Sequence, residues 1–252
     1  MHFEDLSNEL LLSIWDHLLD IDVIFSFSNI NNRLNSLLYK YYGFYTKLDL
    51  RYSSLSMCHY FYEQVLNVFE WRVNLNILKL GNRYRCCQLD MFTNQIIRSF
   101  MSKNEEKQSN NISYILIKDN KYFQPLFPHL NSIVIIQTTY ISDNCRDILL
   151  NVVAGELTMR KFVWNTCNKQ SYHSKAFFDW LFQCSRNLHS FQLATYGNST
   201  CFELIYEHTL VNNYISHHSL VNLHISVVDF LTLNVLVHYL PQLEHISKYI
   251  LQ

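Results

Sequence analysis

The six residues LNILKL, 75–80, decide how the rest of the chain reads. Apolar side chains stand at positions one, four and six, as Leu75, Leu78 and Leu80, and the last two alternate with Lys79 in the period of two that a strand imposes. The same frame recurs at Ile112-Ile115-Ile117, Leu130-Ile133-Ile135, Met159-Phe162-Trp164, Leu188-Phe191-Leu193 and Leu220-Leu223-Ile225. A partial copy lies in LPQLEHI, 240–246, and TKLDLRY, 46–52, offers Leu48 and Leu50 to an early strand. Between these runs lie QLDMFTNQIIRSF (88–100), NCRDILLNVVAG (144–155), SKAFFDWLFQCS (174–185), CFELIYEHTLVNNYI (201–215) and FLTLNVLVHYL (230–240), whose length and apolar spacing suit helices. Strand and helix therefore alternate, and the fold class is α/β.

A unit of one strand and one helix cannot bury its apolar face alone; it does so against the units before and after it. This pattern resembles the leucine-rich repeat. The resemblance implies an irregular solenoid over residues 46–252, with parallel strands on the concave side and helices on the convex side. The usual repeat places Asn or Cys at position nine, where this chain has Asn120 and Cys167 in two copies and Arg83, Thr138, Tyr196 and Val228 in the others. Starts are spaced by 18 to 37 residues, around the roughly 20–29 of regular repeats. The longest insertion is expected near residues 103–111.

The first 45 residues differ in texture and read as a separate helical domain. In LSNELLLSIWDHLL, 6–19, a wheel of about 100° per residue spreads the apolar residues over half the circumference or more, against a usual core stripe of about 100°. Ser7 is a good N-cap, with Leu6 and Leu11 placed as a hydrophobic staple. Asp20 or Asp22 can cap a second helix, and Asn31 or Asn32 a third. Three short helices fall below the size at which a lone core is adequate, so the unit needs the rest of the chain or a partner.

Residues 3 to about 42 resemble the F-box. The residues that carry the likeness are Leu6, Glu9, Leu10, Leu11, Ile14, Trp15, Leu18, Asp22 and Val23, then FSNINNRLNSLL, 27–38. Ser7 stands where the family usually has Pro, and Leu34 where Trp or Phe is common. The resemblance implies a substrate-recognition subunit of a cullin-RING ubiquitin ligase of the SCF type. Leu6, Leu10, Leu11, Ile14, Trp15, Leu18, Val23, Phe27 and Leu34 would dock the small cullin-adaptor subunit, and the repeats would hold a substrate protein of unknown identity. Such a receptor is not itself an enzyme. One edge of the first helix is expected to pack on 25–30 and 33–38, leaving Leu11, Trp15 and Leu18 available until an adaptor covers them. The alternative is a leucine-rich-repeat interaction scaffold whose N-terminal helices only cap the solenoid.

Composition narrows the other classes. A net charge of −1 without a Lys/Arg cluster gives no field for a phosphate backbone, so nucleic acid is not an expected partner. No run of about 20 apolar residues suggests a membrane span, and MHFEDLSNE, 1–9, lacks the basic and apolar regions of a signal peptide. Seven cysteines in no tight framework fit reduced thiols, and the expected location is cytoplasmic or nuclear. Cys86-Cys87 and Cys58-His59 complete no zinc-ligand spacing, so no metal is expected. Four glycines form no phosphate-cradling loop, so no cofactor is expected either. His217-His218 reads as a solvated turn. Recognition loops are expected after the strands, at 83–87, 138–140 and 194–197.

Overall fold

Alternation at frame positions four and six produces strands, and their register shows what the frame is for. The computed structural model describes residues 3–40, 46–65, 74–81, 87–101, 127–137, 143–155, 158–166, 180–195, 215–227 and 230–250. Seven strands, β1 (Lys47–Asp49), β2 (Ile77–Leu80), β3 (Ser132–Gln137), β4 (Lys161–Thr166), β5 (Ser190–Thr195), β6 (Asn222–Val227) and β7 (His245–Ile250), form one parallel sheet in strictly sequential order. Position four lines up across all of them as Leu48, Leu78, Ile133, Phe162, Phe191, Leu223 and Ile246. Position six aligns Leu80, Ile135, Trp164 and Leu193. Leu75, Leu130, Met159, Leu188 and Leu220, at position one, are all buried. The frame is thus three rows of core side chains, and Leu243 takes position one in the last copy.

Parallel neighbours require a crossover. The chain supplies helices α4 (Leu55–Val65), α5 (Gln88–Met101), α6 (Asp143–Gly155) and α7 (Phe230–Tyr239), and a single π turn at Trp180–Cys184. α4 packs on α5, α5 on α6, and α6 on the π turn, so the helices follow the strand order. On α6 the buried residues Cys145, Ile148, Leu149, Val152 and Val153 mark one face at helical spacing. The carbonyl at position two of each strand accepts the position-two and position-three N–H groups of the next strand. Thr46 accepts from Asn76 and Ile77, Asn76 from Asn131 and Ser132, and Asn131 from Arg160 and Lys161; the ladder continues through Arg160, His189 and Val221 at 2.8–3.1 Å. This fixes every strand start and leaves the position-two side chains at the rim.

The α/β class with parallel strands is as expected from the sequence. β2 pairs directly with β3; the Ile112-Ile115-Ile117 copy, the insertion at 103–111 and every position-nine residue lie outside the described residues. So do the helix expected at 201–215, apart from Ile215, and nearly all of the three expected loops. The helix α4 was not foreseen.

Candidate functional site

The N-terminal segment forms three helices, α1 (Asn8–Trp15), α2 (Asp20–Phe27) and α3 (Asn32–Lys40). Ser7 caps α1, its Oγ accepting from Leu10 N at 3.4 Å. Hydrogen bonds to the Glu9 carboxylate from its own backbone and from Ser7 hold it below the ordinary carboxylate range, with Arg33 adding to the effect. α1 stops at Trp15, where His17 N to Ile14 O and Leu18 N to Trp15 O bonds tighten the turn. Leu18 and Leu19 therefore lie beyond the helix, and the wheel that placed them does not apply. Neither Asp20 nor Asp22 caps α2. Leu19 occupies the N-cap without a side-chain bond, and the two carboxylates sit in the first turn, where the helix dipole favours them. Asn31 caps α3, accepting from Leu34 N at 2.8 Å.

The wide apolar stripe of α1 resolves into two rows. Leu11 and Trp15, spaced by four, are both 0% exposed, and Trp15 packs on Phe27 with ring centroids 5.3 Å apart. Leu10 and Ile14, also spaced by four, are 54% and 38% exposed. Leu18 and Leu19 follow at 44% and 55%. The expectation that Leu11 and Trp15 stay available is thereby corrected: an indole is the largest apolar group on this helix, and its burial against α2 is the more stabilising arrangement. Of the other residues assigned to adaptor docking, Val23 and Leu34 are buried, and Leu6 and Phe27 are half-buried. Seven of the twelve large apolar side chains exposed among the described residues lie between Leu10 and Tyr39, so exposure concentrates on these helices.

Two residues that sequence reasoning missed hold this surface in place. Arg33, on α3, donates from Nε to Asn8 Oδ1 at 2.9 Å, from Nη1 to Glu4 O at 2.7 Å and from Nη2 to Leu6 O. It thereby clamps the start of α1. Its signal was a lone cation in a helix otherwise neutral until Lys40. Tyr60, on α4, shares a hydrogen bond with Ser28 Oγ, accepts from Asn29 Nδ2 at 3.2 Å and meets Phe25 edge-on at 5.3 Å. α2 also contacts β1. The exposed apolar surface is thus fixed to the sheet.

Elsewhere the titratable groups serve structure. Cys58 lies in the core, where Gln88 Nε2 reaches its Sγ at 2.8 Å and Leu50 O at 2.7 Å. His59 instead pairs with Glu63, at 3.3 Å. Burial pushes the Cys145 thiol up to about 12, so it carries no thiolate at neutral pH. Burial would raise the Asp49 carboxyl, but hydrogen bonds from Arg51 and Lys79 outweigh it and hold the group low. His217 is buried and bonded, not solvated; His218 is exposed. No cluster of three metal-ligating side chains occurs among the described residues, and no described helix is long and apolar enough to cross a membrane. No family model, curated protein or solved structure matches the chain.

Proposed function

We propose that this chain is the substrate-recognition subunit of an SCF-type cullin-RING ubiquitin ligase. Leu10, Ile14, Leu18 and Leu19 dock the cullin-adaptor subunit, and the sheet and helices, acting as an irregular leucine-rich-repeat solenoid, hold a substrate protein. The chain itself performs no bond chemistry and works in the cytoplasm or nucleus. The observation that carries this reading is the outward apolar row on α1 and the turn after it. Apolar side chains left at helical spacing on a short helix suit the groove of a helical partner.

The test is capture of a purified cullin-adaptor subunit by the full chain. A Leu10→Glu/Leu18→Glu variant should lose about 2 kcal/mol or more of binding while its circular dichroism stays unchanged. Undiminished capture by that folded variant would overturn the reading. Acidic substitutions at Leu11 or Trp15 are unsuitable, because they would bury a charge and report on folding. A second reading, in which the helices only cap the repeat array, is favoured by the packing of α2 on α4 and β1.

A further inference from the structure

The rim where the strands begin carries a groove of about 590 Å³ spanning the starts of β1 to β4, and its lining includes Asn76, Asn131, His129, Thr158 and Arg160. The position-two and position-three N–H groups of β2, β3 and β4 are consumed by the strand-to-strand ladder, so recognition there falls to side chains. Thr158 Oγ1 is committed to the carbonyls of Pro128 and Leu130. The side-chain amides of Asn76 and Asn131 have no hydrogen-bond partner among the described residues. They occupy the same frame position on adjacent strands, about 4.8 Å apart in the sheet direction. Arg160 takes that position on the next strand. It is exposed, forms no ion pair among the described residues, and has only a 3.5 Å bond from Nη1 to Asn187 O. Lys161 beside it is likewise exposed. None of the lining residues is acidic, although acids outnumber lysines and arginines in the chain as a whole.

We propose that this rim groove binds an extended acidic peptide, its carboxylate seated on Arg160 and its backbone held by the Asn76 and Asn131 amides. A guanidinium fork matches a carboxylate with two parallel hydrogen bonds. A side-chain amide offers N–H donors and a carbonyl acceptor side by side, the complement of a peptide group. The inference rests on the reading of the repeat array as the substrate-holding part, and it names the chemistry of that substrate.

Fluorescence anisotropy with a labelled decapeptide alternating Asp and Ser, against its Asn and Ser counterpart, tests it on the full chain. The acidic peptide should bind and the neutral one should not. Arg160→Gln should weaken the acidic peptide about tenfold and Asn131→Ala should weaken it detectably, with circular dichroism unchanged. Arg98→Gln, which removes an exposed cation on α5, should have no effect. Equal binding of the two peptides, no binding of either at millimolar concentration and low salt, or equal losses in Arg160→Gln and Arg98→Gln would each overturn the proposal. Adaptor capture by Arg160→Gln should be intact, and Leu10→Glu/Leu18→Glu should still bind the peptide, so the two readings fail separately.

Discussion

His217 is buried just ahead of β6. Next to His218 and Ser219 it has the look of a polar turn, yet its ring bridges two copies of the frame. Leu220 N donates to Nδ1 at 3.2 Å, which puts the ring proton on Nε2 facing Ser185 O at 2.8 Å. Both contacts are made by the neutral imidazole; a proton on Nδ1 would remove the acceptor for Leu220. Burial pulls the group below its ordinary 6.5; the backbone hydrogen bonds oppose this, and the charges of His218 and Arg186 add to it. The sign follows from proton uptake. Between the lowered folded value and 6.5 the unfolded chain binds more protons than the folded one, so stability rises with pH across that window. The contribution is complete above 6.5 and is lost as pH falls through the folded value. Urea midpoints measured on both sides of 6.5 should show the wild type losing more stability on acidification than His217→Gln does. An equal loss in the two proteins would remove this role.

Among the elements, those whose pattern has one interpretation were legible, and those with two were not. The strands could be read because positions one, four and six recur with the same spacing, α5 and α6 because each carries an apolar face at helical spacing, and α7 because its apolar run has the length of a helix. α4 escaped notice although its signals were present. Ser54 accepts from Met57 N at 3.1 Å, and Cys58, Phe61 and Tyr62 are buried at helical spacing. The stretch lies between two copies of the recurring frame and carries none of its positions, so the frame does not reveal it. In α1 the periodicity gave two rows, but which row is covered depends on where α2 and α3 pack, and that information is not local. The end of β2 depends in the same way on its neighbour. Gly81 has φ +84°, and a Cβ there would lie 1.8 Å from Ile136 O on β3. Gly81→Ala is therefore strained by both conformation and contact and should cost about 3 kcal/mol or more, lowering the urea midpoint at unchanged slope. A midpoint equal to wild type would show that β2 and β3 can separate freely at that point.

For the whole molecule, the question is whether the N-terminal helices form an independent module or part of one core; the residues that pack there differ from those proposed to dock. Leu11, Trp15, Ile21, Val23, Ile24, Leu34, Leu37 and Leu38 belong to the same buried cluster as Leu48, Cys58 and Phe61. That cluster continues through strands β1 to β6 and reaches Leu240. Eight buried side chains at roughly 1.5–3 kcal/mol each match or exceed the whole net stability of a typical domain, about 5–15 kcal/mol. Their loss also uncovers partners that remain behind, among them Tyr60 and the β1 side of the sheet. A chain beginning at residue 46 should therefore be aggregated or non-cooperative in a thermal melt, whereas Leu10→Glu/Leu18→Glu in the full chain should melt cooperatively near the wild-type midpoint. Size-exclusion profiles and circular dichroism melts of the three proteins decide the matter. If the shortened chain instead melts like the full one, the helices form a separate docking unit and the single core is wrong. If it collapses as expected, capping and docking are two faces of one element. Trp15→Ala should then cost about 3–5 kcal/mol of fold stability and lose adaptor capture only in proportion to the unfolded fraction.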